Sequence, residues 1–295
     1  MSQLEHYPVL HREVLNFFKD IKKGYIVDAT IGGGGHSFLI LKKLPEVKII
    51  GIDKDEYAIQ TADQKLKQFK GRYNLIRSSF KNIDNILDQL GLQTVQGFLF
   101  DLGVSIFHLK TERGFSFQKD QPLDMRMDRS QSLTAYDVIN KYSKNLLEKI
   151  IFEYGEEKFA KRIVKNIIEE RKKNPIKTTK QLADIVYRSY PPPLRRGRIH
   201  PATKTFQAIR IEVNDELSEI KLGVSKGIER LEKGGIIQVI SFHSLEDRIV
   251  KNIFREAKKL KKLEILTKKP ITPGMEEIKE NPPSRSAKLR VGKRV

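Results

Sequence analysis

Between residues 25 and 103 the apolar positions switch repeatedly between two periods. YIVDAT, VKIIGID, YNLIRSSF and VQGFLFDLG are short β-rich runs, whereas HSFLILKKL, EYAIQTADQKLKQF and KNIDNILDQL space their apolar residues three or four apart. The first kind predicts strands and the second helices. Consecutive strand and helix units of this sort build a mostly parallel sheet covered by helices, an α/β fold. Ligands in such sheets bind beyond the carboxyl ends of the strands, which directs attention to Asp28, Asp53, Phe80 and Asp101.

After LFDLG the alternation stops for about a hundred residues. Helical segments such as LLEKIIFEYGEEKFAKRIVKNIIEERKK and TKQLADIVYRSY are divided there by Asn-Pro and Pro-Pro-Pro breaks. The α/β rhythm returns with one long helix across TFQAIRIEVNDELSEIKLGVSKGIERL, a buried strand GGIIQVISF, a helix LEDRIVKNIFREAKKL and a final run AKLRVGKRV. The simplest parse is one α/β domain, 1–104 and 206–295, interrupted by a helical subdomain at 105–205. There is no internal repeat, and the low-complexity stretch is the Lys-rich region near 258 to 269.

Composition narrows the partners. The chain has 295 residues, 39% of them hydrophobic, enough for a real core. No apolar run approaches the roughly 18 residues of a membrane span, and MSQLEHYPVL lacks the layout of a signal peptide, so the expected compartment is the cytoplasm and no membrane partner is expected. Without cysteine, disulfides and thiolate chemistry are excluded. The six His residues show no metal-binding spacing, and no metal is inferred. The net charge of +19 favours a polyanionic partner. Its distribution is sharper: residues 255–295 carry 13 basic and 5 acidic residues, and PPPLRRGRIHPATK (191 to 204) holds Arg195, Arg196, Arg198 and Lys204 with no acid. A solvated Lys-rich surface would look similar, but clustering of this kind points to phosphate contacts.

The first strand leads into DATIGGGGHS (28 to 37). A glycine-rich turn before a helix brings backbone close to a ligand and presents N–H groups at the positive end of the helix dipole. No Gly-Lys-Ser/Thr follows, which rules out a P-loop. Gly32 and Gly34 give the start of a dinucleotide fingerprint, but Ser37 stands at its third glycine position. Asp28 would repel a pyrophosphate and accept hydrogen bonds from an ammonium. Those features suit S-adenosylmethionine, with its α-ammonium and sulfonium, better than NAD. Asp53 at the second strand end is placed for both hydroxyls of a ribose, and Phe80 either packs on an adenine or belongs to the core.

FDLGVSIFHLKTERGFSFQKDQPLDMRMD (100 to 128), taken with HYPVLHREVL near the start, GEEKFAKRI (155 to 163), HPATKTFQAIRI (200 to 211) and SFHSLEDRIVK (241 to 251), closely resembles the bacterial ribosomal RNA small-subunit methyltransferase H family, formerly MraW. The likeness runs through nearly the whole chain in the family's order. It implies a Rossmann-like S-adenosylmethionine-dependent methyltransferase fold with an inserted helical subdomain. It also implies methylation of N4 of one cytidine in the decoding region of 16S rRNA in the small ribosomal subunit, and is compatible with a homodimer. Cofactor contacts carried over by motif fall on Gly34, Gly35, His36, Asp53, Phe80, Asp101 and His108, beside Asp28 and Gly32 read from the residues themselves. Where the family commonly has LGVSSxQ, this chain has Ile106 and His108, and a His there adds a protonation that Gln lacks.

The exocyclic amine of cytosine is a poor nucleophile, so an acceptor beside it must draw its protons away. Many amino-methyltransferases use an acid or amide followed by Pro-Pro-aromatic at the fourth strand, where this chain has Asp101-Leu102-Gly103-Val104. Asp101 accepts either from the amine or from the cofactor ammonium, the role the resemblance favours. Nearby backbone carbonyls, His243 or Ser241 are further candidates for the amine. Ser244 with Asp247 reads as a helix cap, and His243 as either a functional group or a packing residue. A base taken out of its stack needs aromatic partners, for which Tyr136, Phe115 and Phe117 are candidates, each with a core alternative. Arg126 either contacts RNA or pairs with Asp124 to brace its loop. A non-catalytic RNA assembly factor with the same fold is the alternative function; a NAD-dependent oxidoreductase is disfavoured by Asp28 and the missing third glycine.

Overall fold

The computed structural model describes residues 7–103, 111–197 and 199–295. They fall into two compact units, Met1–Gly103 with Leu217–Val295, and Val104–Glu216. The residue pair 205/206 lies inside the helix Ala202–Asn214, which the second unit keeps whole. Among the described residues, no helix is long and apolar enough to cross a membrane.

The first unit is built on seven strands: β1 (Lys23–Asp28), β2 (Glu46–Asp53), β3 (Tyr73–Arg77), β4 (Val95–Asp101), β5 (Leu231–Ser241), β6 (Leu263–Ile265) and β7 (Lys288–Arg294). Their order is β3-β2-β1-β4-β5-β7-β6. Strands β1 to β5 pair in parallel, and β7 runs antiparallel between β5 and β6. The strands are continuous apolar runs because both sheet faces are covered. Successive residues alternate between two cores: Val27, Ile50, Phe98, Phe100 and Val239 on one face, Ile26, Ile49, Leu99 and Ile240 on the other. Full burial of a side chain such as Phe98, 0% exposed, contributes roughly 1.5 to 3 kcal/mol.

The chain enters this sheet in the middle, runs outward to β3, and returns to β4 beside β1. That reversal makes the carboxyl ends of β1 and β4 the topological switch point, where the neighbouring connections diverge and leave a crevice. Asp28 closes β1 opposite Leu99 of β4, and Asp101 closes β4 two residues further on. The two acids noted in the sequence are thus brought together by strand order.

The second unit packs the helices Ala135–Lys141, Lys144–Gly155, Ala160–Lys173, Thr179–Ser189 and Ala202–Asn214 around Val138, Ile150, Ile163, Leu182 and Ile209. Two are started by capping boxes, Thr134 with Asp137 and Thr178 with Gln181. Two helices that the periodicity joins are broken. LLEKIIFEYGEEKFAKRIV turns at Glu156, φ 47°, and TFQAIRIEVNDELSEIK turns at Asp215, φ 50°. Apolar spacing survives both breaks, so the pattern alone did not reveal them. At the second, Asn214 donates to the carbonyls of Met125 and Arg210 and accepts from Met127 N, while Arg210 pairs bidentately with Glu216.

Candidate functional site

The glycine turn joins β1 to the helix Gly35–Lys43, with Gly34 as its N-cap in the left-handed region, φ 74°. A Cβ on Gly34 would stand 3.3 Å from Ala62 Cα, so a side chain there meets both strain and a neighbouring helix backbone. Gly32, φ 49°, donates its N–H to Asp53 Oδ2 at 3.0 Å, and Asp55 N donates to Asp53 Oδ1 at 2.9 Å. The end of β2 is therefore stitched to the glycine loop.

Asp28 lies beneath the loop: its side chain is 2% exposed, Oδ2 accepts from Ser37 Oγ at 2.6 Å, and Oδ1 is buried with no hydrogen-bond partner among the described residues. Burial pushes its carboxyl up to about 6; the Ser37 hydrogen bond and His36 pull it down, and Asp101 adds to the rise. The Ser at the third glycine position of the fingerprint is thus explained: Ser37, 0% exposed, ties the first helical turn to the strand end. An acid nine residues before a Ser in this loop was the available signal, and the glycine template hid it.

Asp101 is the acid that faces outward. Its backbone N donates to Thr30 Oγ1 at 2.7 Å, which fixes the end of β4 against the second residue after β1. Its side chain is 26% exposed; Oδ2 lies 3.5 Å from His36 Nε2, and Oδ1 is buried with no hydrogen-bond partner among the described residues. A buried carboxylate oxygen without a donor costs free energy that a bound cation recovers. An ammonium suits it, and the glycine-opened helix start beside it suits a carboxylate. Phe80 follows β3 by three residues, in a short 3-10 turn; its ring meets Phe100 edge-on at 5.6 Å and is half-buried against the core. It borders the same sheet end while sharing in the packing. His108 and Ile106 lie outside the described residues.

After β5 the expected helix cap shifts by one residue. His243, not Ser244, is the N-cap of Ser244–Lys259: its side chain accepts from Glu246 N, and Glu246 accepts from His243 N at 3.2 Å. Asp247, assigned to the cap from sequence, instead takes a bidentate pair from Arg290 at 2.7 and 3.1 Å. The frame slipped because a His fills the Ser role. Ser241 is buried and its Oγ donates to Lys288 O of β7 at 3.4 Å. Both groups offered as helpers for the amine thus serve the local fold.

In the second unit the cations singled out for RNA divide. Arg126 grips Asp124 through Nε at 2.7 Å and Nη2 at 2.9 Å, while Nη1 reaches the carbonyls of Arg129 and Gln131. Burial opposes the Asp124 charge, but the bonds from Arg126 hold its carboxyl below the ordinary range. The loop-bracing alternative is the one realised. Lys204 Nζ donates to Glu156 O at 2.9 Å, closing the carboxyl end of Lys144–Gly155. Arg195 donates to Tyr190 O and Arg188 O and lies over the Tyr187 ring at 5.4 Å. Arg196 is exposed, and Arg198 lies outside the described residues. Tyr136 and Phe117 are half-buried against the helical core and Phe115 is 9% exposed, so Phe115 is a core residue.

The profile of the MraW methylase family matches residues 3–295. The ribosomal RNA small subunit methyltransferase H of Persephonella marina is 73% identical over 292 residues, covering 99% of this chain and 100% of that protein. The same-named protein of Sulfurihydrogenibium azorense is 65% identical with the same coverage. Among solved structures, an rRNA methylase from Streptococcus thermophilus superposes with a TM-score of 0.47 at 11% identity, over 96% of this chain and 95% of that one.

Proposed function

We propose that this chain, which belongs to the MraW methylase family, transfers a methyl group from S-adenosylmethionine to N4 of one cytidine in the decoding region of 16S rRNA, acting in the cytoplasm on the small ribosomal subunit. The observation that carries the cofactor reading is the buried, unpartnered Asp101 Oδ1 beside a helix start opened by Gly34. S-adenosylmethionine brings the methyl group on a sulfonium, together with an α-ammonium, a carboxylate and a ribose.

Asp101 holds the ammonium, with His36 next to it. N–H groups of the first helical turn, from Gly35 onward, receive the carboxylate. Asp53, already oriented by Gly32 and Asp55, takes the ribose hydroxyls, and Phe80 borders the adenine. Asp28 contributes by holding Ser37 and so the loop. For the amine, whose lone pair is delocalised into the ring, backbone carbonyls at the end of β4 serve as acceptors. The inserted unit recognises the RNA.

The test is methyl transfer from labelled S-adenosylmethionine to small subunits from cells lacking this enzyme, followed by nucleoside analysis. Label on N4 of cytidine is the expected result. Tight cofactor binding with no label on any RNA would overturn it in favour of a non-catalytic assembly factor, and would direct attention to Ile106 and His108.

A further inference from the structure

In the inserted unit, Phe117, Asp120, Lys180, Asp184, Tyr187 and His200 line a groove of about 450 Å³, which is ligand-sized. Three of these come from one helix. Lys180, Asp184 and Tyr187 stand at i, i+4 and i+7 on Thr179–Ser189, whose other side buries Leu182, Ile185 and Val186 in the core. The facing wall is the loop carrying Phe117 and Asp120. Thr179 Oγ1 donates to Lys119 O at 2.8 Å, Gln121 N donates to Thr179 Oγ1 at 3.0 Å, and Lys180 N donates to Asp120 Oδ1 at 3.2 Å. His200 closes the third side, its Nδ1 accepting from Ala202 N at 3.1 Å.

The lining is aromatic and held in place. His200 lies 4.7 Å from Phe117 and 6.0 Å from Tyr187, nearly parallel to the latter at 20°. Arg195 rests over the Tyr187 ring with two of its nitrogens fixed on backbone carbonyls, so it stiffens this wall. Around the rings the charge is mixed. The segment 191–204 carries four basic residues and no acid, whereas the groove itself presents two exposed carboxylates, Asp120 and Asp184. A site for phosphate alone would not carry those acids, and a basic peptide would be repelled by that segment. An unpaired nucleobase satisfies all three features: its π face suits the rings, its backbone phosphates suit the cations, and N–H groups on its edge suit the carboxylates.

We propose that this groove seats one unpaired base of the rRNA, with an edge rich in N–H donors turned to Asp120 and Asp184 and the neighbouring phosphates on Lys180 and Arg196. The site is separate from the residues assigned to the cofactor, and it rests on the reading of the chain as an RNA methyltransferase. Uracil, whose single edge N–H lies between two carbonyls, fits the carboxylates poorly, so the seat prefers adenine, cytosine or guanine.

The experiment measures binding of fluorescein-labelled single-stranded oligo(A) and oligo(U) to the full chain by anisotropy, beside methyl transfer to small subunits. Tyr187→Ala is expected to weaken oligo(A) binding about tenfold, with Tyr187→Phe within about twofold of the parent, since loss of one stacking partner has that scale. Asp184→Asn, at an exposed position that leaves folding intact, is expected to abolish the preference for oligo(A) over oligo(U), and it decides the matter if Tyr187→Ala melts early. Unchanged affinity and preference in these variants would overturn the groove assignment while parental methyl transfer upholds the enzyme reading. Turnover on assembled subunits lost in Tyr187→Ala with oligonucleotide affinity intact would put a ribosomal protein in the groove, and also overturns it. Absence of methyl transfer by the parent chain removes the enzyme reading itself.

Discussion

At the carboxyl ends of β1 and β4, polar atoms remain after the fold has taken what it needs: Asp28 Oδ1 and Asp101 Oδ1 are both buried with no hydrogen-bond partner among the described residues. In the inserted unit, Arg126, Arg195 and Lys204 are instead drawn onto the protein's own carbonyls and carboxylates. The difference follows from where each group sits. A strand end at a switch point lies beside connections that diverge, so few protein groups reach it. A long cation in a loop or near a helix end is surrounded by backbone carbonyls that lack secondary-structure partners. A count of charges therefore reports availability poorly, while position at the end of a parallel strand reports it well.

The sharpest way to break this contrast is Asp101→Asn. If Asp101 holds the cofactor ammonium, replacing its charge by an amide weakens cofactor binding about 100-fold, or ~3 kcal/mol, the scale of a hydrogen bond to a charged group. Turnover at saturating cofactor then stays within a few-fold of the parent. Calorimetric affinity for the cofactor together with kcat separates the roles: intact binding with lost turnover would move Asp101 onto the cytosine amine.

Asp28 tests whether the buried acid is structural. Its folded pKa of about 6 stands above its ordinary 3.8. Between those values the folded state binds more protons than the unfolded one, so stability is greatest below pH ~4 and falls as pH rises through ~6, by up to ~3 kcal/mol. Asp28→Asn keeps an acceptor for Ser37 and removes the titration. Its denaturant midpoint relative to the parent should rise across that window. A parallel pair of stability curves would show that the carboxylate is solvated after all.

In the inserted unit the corresponding substitution is Arg126→Met, which strips four hydrogen bonds and leaves Asp124 without its counter-charge. Both side chains are about one-fifth exposed, 21% and 19%, which discounts the loss to about 2 kcal/mol of stability. RNA affinity below the melting transition should be unaltered. Weakened RNA binding at unchanged stability would return Arg126 to the substrate.

How much of this was legible in the sequence depended on the same distinction. Period switching gave the strands, and strand ends gave Asp53 and Asp101, because a doubly wound sheet converts order along the chain into position in space. The two helix breaks were hidden since the positive φ falls on Glu156 and Asp215 themselves, the first one residue after Gly155 and the second with no glycine or proline beside it. Ser37 and the His243 cap were hidden by templates that admit one residue type where chemistry admits another. The groove residues Tyr187 and His200 lie 13 positions apart in sequence, and their meeting depends on packing that no local pattern contains.

The smallest expected effect separates two cations of one loop region. Arg196 is exposed, whereas Lys204 is bonded to Glu156 O. Each phosphate contact to a single strand contributes about 0.7 to the slope of log affinity against log salt. Arg196→Ala should therefore reduce that slope by ~0.7 with no change in melting temperature. Lys204→Met should leave the slope alone and lower stability by about 0.5 to 1 kcal/mol, the net worth of one hydrogen bond at a helix end. If the two variants exchange these behaviours, the bond drawn from Lys204 is surrendered when RNA binds, and the inserted unit holds its cations in reserve rather than spending them.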